Sequence, residues 1–217
     1  MGGKVSAAQR REPLVLFAVT GALLVWSGIA PFDRLTWVLE VSWVIVALPA
    51  LVLTYRRHPL TPLSYRLLFL HAVVLIVGGY YTYARVPAGL WVSDLFDLTR
   101  NHYDRFGHFM QGFVPAIVLR EILIRWSPLK SGKWLPVTVV SMCLAFSALF
   151  EMIEWWAATI YGGEAILYLA TQGDVWDTQW DMFWALAGAV LALATLSRVH
   201  DRELARLGVM GGSNKTD

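Results

Sequence analysis

A single cysteine, Cys143, leaves the chain without an intramolecular disulfide and without the ligands of a cysteine-based zinc site. Charge is also scarce. Only 16% of the residues are charged while 57% are hydrophobic, and the mean hydropathy is +0.51, outside the ordinary soluble range. The chain contains no Gly-x-Ser-x-Gly, Walker or HExxH sequence, which excludes a serine-elbow hydrolase, P-loop nucleotide binding and the common zinc-protease helix. Short alternating segments are missing too, so a transmembrane β-barrel is not expected. No small-residue cleavage site follows the first apolar run, which is therefore expected to be retained.

What the sequence does have is apolar length. Six runs, at 13–30, 35–53, 65–83, 103–124, 134–160 and 181–197, suit helices, since about 20 residues rising about 1.5 Å each cross about 30 Å of hydrocarbon. The expected fold is all-α, a polytopic bundle of about six spans forming one integral-membrane domain over residues 1–217. Cys143 falls inside the fifth run and reads as a small buried apolar residue.

The basic residues set an expected orientation. With the amino end inside, fourteen Lys and Arg lie in cytoplasmic segments, including Lys4, Lys130 and Lys215. Only Arg34, Arg85, Arg100 and Arg105 lie outside, so both termini are expected in the cytoplasm. Most acids then fall on the outer half, Asp33, Glu40, Asp94, Asp97 and Glu164 among them. That surplus favours an extracytoplasmic site for cations. Nucleic acid is not an expected partner, because the basic residues are spread through short loops in the topogenic manner. The MGGKVS start and the NKT sequon at 214–216 read as chance matches.

Three helices carry their polar residues on one face. Asp104, His108 and Gln111 follow i, i+4, i+7; Ser147, Glu151 and Glu154 share a face of the fifth span; Asp174, Asp177 and Asp181 share one on the sixth if that helix starts early, with Asp174 alternatively its N-cap. His108 is 17 residues from Arg125, Glu151 is 18 from Lys133 and Asp181 is 17 from Arg198. Each therefore rises about 26 Å from the inner boundary, to one common depth. Clustered carboxylates at that depth repel one another and need compensation. A divalent cation, protons, or a latch of Arg85, Arg100 and Arg105 would each supply it, and these correspond to a metal or catalytic site, a carrier and a structural scaffold.

Other residues have plainer readings. Trp155, Trp156, Trp176, Trp180 and Trp184 suit an interfacial aromatic belt. Glu40 suits helix packing or hydrogen bonding, and His71 a satisfied interhelical donor. Residues 89–102 read as an amphipathic surface piece, whose His102 either joins the site or, as is commoner, is an exposed loop histidine. The connection holding Gly162, Gly163 and Gly173 can fold back over the acidic mouth.

YDRFGHFMQGF, FEMIEWWAA and LATQGDVWDTQWDM together resemble the YjdF-like family of bacterial inner-membrane proteins. That resemblance implies a multi-pass protein of the bacterial inner membrane with about six spans. A second resemblance is to the VanZ-like proteins, linked with glycopeptide resistance. Asp104, Arg105 and His108 match that family's Asp-Lys-x-x-His with Arg for Lys, Glu151 and Asp177 fall where its later acids stand, and Asp181 replaces its Asn. It implies work at the outer leaflet, near cell-wall or lipid-linked substrates.

The expected site comprises Asp104, His108, Glu151, Glu154, Asp177 and Asp181, with Gln172 and Asp174 at its rim. His108, Glu151, Glu154, Asp177 and Asp181 are the expected ligands of a divalent metal, with zinc, manganese and iron suiting the mixed nitrogen and oxygen set. A spare carboxylate would act as base. Membrane lipids are the expected surroundings, and a small-molecule or lipid-linked substrate the expected partner.

Overall fold

Helices α1 (Ala7–Ile29), α2 (Arg34–Thr54) and α3 (Pro62–Tyr81) form one side of the molecule, each packing on the other two. A short 3-10 turn at Tyr83–Arg85 and the ten-residue α4 (Pro87–Phe96) lead to α5 (Tyr103–Trp126). Helix α6 (Trp134–Tyr161), a 3-10 turn at Gly162–Ala165, the single-turn α7 (Ile166–Leu169) and α8 (Asp177–Arg206) complete the chain. The structure is a computed structural model and describes residues 7–129 and 132–209, with no side chains described at 7–10 and 164–167. Lys4, Lys130, Lys215, the start sequence, the sequon and the Glu164 side chain lie outside the described residues. Among these residues α1, α2, α3, α5, α6 and α8 are long and apolar enough to cross a membrane, and no strand occurs.

Local chemistry fixes several helix starts. Asp33 accepts from the Thr36 backbone N–H at 2.7 Å to cap α2, and Thr61, followed by Pro62 at the first helical turn, caps α3 through the Ser64 N–H. The sixth span begins at Asp177, earlier than the apolar run suggests. Asp174 lies before it, its carboxylate accepting from the Trp176 N–H at 2.9 Å in a side-chain turn. At the other end α8 continues past Arg198 to Arg206, stopping just before Gly208, whose φ is +76°.

The core seam is the crossing of α5 and α8. Gly112 faces Ala185 and Gly188 faces Phe109 so closely that a Cβ on either glycine would overlap the opposing backbone carbonyl oxygen. Ala185, Ala189 and Ala192 on α8 are fully buried in the same seam. In a membrane, where lipid tails are as apolar as leucine, such small residues gain association through close backbone packing. Val114, Ile117, Val139 and Cys143 are likewise fully buried beside it. This seam holds the polar faces of α5 and α8 in register.

Candidate functional site

One end of the α5, α6 and α8 bundle gathers the acidic faces. His108 Nε2 lies 3.6 Å from Glu151 Oε1 and 3.8 Å from Asp104 Oδ1. Ligand atoms of Asp104, His108 and Asp181 all fall within 4.8 Å of one another, and so do those of His108, Glu151 and Glu154. His108 is common to both groups. All five side chains are buried, as are Gln111 and Ser147 beside them. His108 Nδ1, Gln111 Oε1, Ser147 Oγ, Glu151 Oε1 and Asp181 Oδ1 find no hydrogen-bond partner among the described residues. Buried polar atoms without partners are rare and costly in a finished structure.

The rim is arranged differently. Arg100 pairs with Asp177 at 2.6 Å and with Asp174 at 3.4 Å, and Arg105 pairs with Asp174. Gln172 exchanges two hydrogen bonds of 2.9 Å with the Asn101 backbone. Asp177 thus sits in an ion pair, apart from the two ligand groups, while Asp104 stands within one. Arg85 takes no part in the latch and lies 4.0 Å over the Phe32 ring. The Trp176 backbone N–H, with Arg105 and Arg100, holds the Asp174 carboxyl below the usual carboxylate range.

With both arginines engaged by Asp174 and Asp177, four carboxylates (Asp104, Glu151, Glu154 and Asp181) surround a single imidazole. Arg100 is 3.9 Å from Asp104, the nearest fixed positive charge that the structure offers them. Carboxylates this close cannot all stay ionised without a cation. Three to five oxygen and nitrogen donors converging from three helices match the count that zinc, manganese or iron takes up.

The chain matches the family described as predicted membrane protein (DUF2238) over residues 12–202. It is 50% identical over 204 residues to the inner membrane protein YjdF of Escherichia coli (strain K12), an alignment covering 93% of this chain and 98% of that one. The chain belongs to this YjdF-like family. It is a multi-pass protein of the bacterial inner membrane, as the relative's description and the six spans agree. No solved structure matches it.

In this member of the YjdF-like family several site residues carry no signal in the sequence. Asn101, 2% exposed, donates to the Ala84 and Val86 carbonyl oxygens and accepts from the Tyr103 N–H, tying the turn before α4 to the start of α5. Tyr168 is buried beside the acids, and that burial, with Glu154 nearby, pushes its hydroxyl well above the usual tyrosine range, so it remains a donor. The short helix that carries it, α7, packs against α2 and α6. Glu40 and Tyr83 are both buried and border one cavity. His71 is not the satisfied donor expected: its Nε2 has no partner among the described residues, because it borders a cavity rather than a neighbouring helix. His102 stays at the rim, 3.4 Å from Arg105, with burial and the two arginines lowering its pKa.

Proposed function

We propose that the cluster of Asp104, His108, Glu151, Glu154 and Asp181 holds a divalent cation and acts on an outer-leaflet lipid or cell-wall-linked substrate. The observation that carries this reading is the convergence on His108 of two ligand groups, each within 4.8 Å, with five polar atoms beside them unpaired. A cation would supply positive charge to all four carboxylates and partners to their unpaired oxygens. When bound, such a metal polarises a phosphoryl or carbonyl oxygen. Around it His108 and Glu151 fix the donor geometry, while whichever of Asp104 and Glu154 is left unligated is placed to accept a proton. Asp177, with Asp174, keeps Arg100 and Arg105 at the rim, where the guanidiniums suit an anionic group of the substrate. The orientation with both termini in the cytoplasm, which puts this end outside, belongs to the same proposal.

A carrier that moves protons or cations is the weaker reading. Beyond Gln111 the next polar group along α5 is Arg120, and the layer between is apolar, with Val114, Ile117, Val139 and Cys143 fully buried in it. A transported charge would have to cross about 14 Å of it. Elemental analysis of the purified protein tests the proposal. Near-stoichiometric zinc, manganese or iron is expected in the wild type and none in folded His108→Ala or Asp181→Ala; protein free of metal in every sample, including after reloading, would sink it.

A further inference from the structure

Beside the cluster lies a cavity of about 200 Å³, bounded by α1, α2, α3, α5 and α6. Its polar end is formed by Glu40, Tyr83, Asp104, His108 and Gln111; Thr20, Tyr65 and His71 are further polar residues of the lining, and the remaining wall is apolar, running along α2 through Trp43, Val44, Leu48 and Leu51. From Glu40 to Leu51 that wall rises about 16 Å, so the cavity extends far down the span from its polar end. Ala47 is exposed on the flank of α2 and also lines the cavity, which therefore opens sideways. The ring pair Trp43 and Phe146, with centroids 4.6 Å apart, bridges α2 and α6 above Ala47. At the aqueous end, by contrast, the Arg100, Asp174 and Asp177 pairs and the Gln172 bonds to Asn101 tie the rim together.

We propose that this cavity holds one acyl chain of a membrane glycerophospholipid, which enters sideways past Ala47 and sets its polar end against His108 and Gln111. The inference rests on the lipid-substrate reading above and specifies how such a substrate reaches the site. Three observations carry it. His108 and Gln111, 4% and 7% exposed, each present an unpaired polar atom where the cavity meets the cluster, so the polar end asks for a ligand that the apolar wall alone would not. An apolar cavity of about 150 Å³ takes up the six carbons of benzene, so about 200 Å³ suits a stretch of about eight carbons of a single chain, the part nearest the headgroup, with the remainder passing out by Ala47 into the bilayer. The opening lies on a membrane-spanning helix, where the bilayer supplies acyl chains at high concentration and mass action favours them.

The experiment uses the full chain in nanodiscs of phosphatidylethanolamine and phosphatidylglycerol, with a small fraction of phosphatidylethanolamine carrying a mid-chain diazirine. After irradiation, adducts are mapped by peptide mass spectrometry. Adducts are expected on the cavity-facing residues Leu48, Leu68 and Ala72, falling about tenfold in Ala72→Trp, which fills the cavity, and in Ala47→Trp, which blocks its opening. Labelling of Val190 and Leu191, on the exposed face of α8, should not change. The Ala47 variant alters only an exposed position, so it keeps the test decisive if Ala72→Trp fails to fold. Labelling spread evenly over lipid-facing residues and indifferent to both substitutions would overturn the proposal, as would its clearance by an equimolar polyprenyl phosphate, which would assign the cavity to an isoprenoid. Asp181→Ala, which removes a metal donor that does not line the cavity, separates this idea from the metal: cavity labelling that persists without metal supports the chain site even where the metal reading fails, whereas metal-loaded protein with an unlabelled cavity overturns the chain site alone.

Discussion

Two carboxylate sites share helix α5, about 20 Å apart, and they are treated in opposite ways. Glu121 is fully buried and receives donors from every side: the Thr61 N–H at 2.9 Å and hydroxyl at 2.8 Å, the Ser64 hydroxyl at 2.6 Å, Arg125 at 2.7 Å and His200 Nε2 at 3.2 Å. Arg120 donates to His200 Nδ1 at 3.0 Å and to Asp201 at 2.5 Å, which leaves the proton of a neutral imidazole on Nε2, facing Glu121. Charges balance there: Arg125 answers Glu121, and Arg120 answers Asp201. Around His108 four carboxylates are buried together, and Arg100 reaches only Asp104 among them, at 3.9 Å, while it holds Asp177 at 2.6 Å; five polar atoms there stay unpaired. A buried network with every member satisfied fixes structure. One left incomplete, at a stability cost, marks the place where something else binds.

The contrast breaks most visibly at Glu121. Replacing it by alanine leaves Arg125 and His200 without their partner and unties the start of α3 from α5 and α8, so a loss of about 3–5 kcal/mol is expected. Thermal unfolding in mild detergent would register this, and a variant as stable as wild type would mean that the network holds nothing together. At the other site the sign reverses. In chelator-treated protein Glu154→Gln removes one of several mutually repelling carboxylates and should stabilise by about 1–2 kcal/mol. The wild type should instead gain about 2.7 kcal/mol from metal at a hundredfold excess over its dissociation constant, a gain that Glu154→Gln reduces. If chelation and the substitution both destabilise, the four acids are structural and the contrast with Glu121 disappears.

A smaller effect is expected at the rim, where Arg100→Ala frees Asp177 from its ion pair. Asp177 then becomes a fifth uncompensated acid, so the metal-free protein should lose about 1–2 kcal/mol. Much of that loss should be recovered when metal is added, because the freed carboxylate is one turn before Asp181. Unfolding curves with and without metal would measure the recovery, and an equal loss in both would place Arg100 outside the electrostatics of the cluster.

The sequence made the His108 end legible and hid the Glu121 end, for physical reasons. The i, i+4, i+7 spacing of Asp104, His108 and Gln111 and the matching depths of Glu151 and Asp181 are properties of single helices, and a helix keeps its periodicity wherever it packs. In the sequence Glu121 is a single acid beside Arg120 and Arg125 with no periodic partner, and His200 lies beyond the apolar run ending at 197. Their contact joins residues 79 apart and has no local pattern. The engagement of Arg100 with Asp177, across 77 residues, was hidden in the same way, so Asp177 was placed among the expected ligands when its partner is a cation already in the chain. The cavity was invisible for a further reason: its apolar lining residues, from Leu16 to Phe150, come from five helices and resemble any lipid-facing residue until the helices are assembled.

Asp174 offers the finest test of the division between rim and cluster. Its carboxyl is held below the usual range by the Trp176 N–H and by Arg105 and Arg100, so folding favours the ionised form. A group with a depressed folded-state pKa contributes stability that is fully present above the unfolded value, about 3.9 for aspartate, and is lost as pH falls through the lower folded value. Asp174→Asn should therefore be slightly less stable than wild type at neutral pH, with the difference shrinking below about pH 4 as the wild-type carboxyl protonates. Unfolding midpoints of the two proteins from pH 7 to pH 3 would show them converge. Parallel curves would mean that Arg105 and Arg100 do not hold Asp174 as an ion, and the rim would then need the same external cation that the four inner carboxylates require.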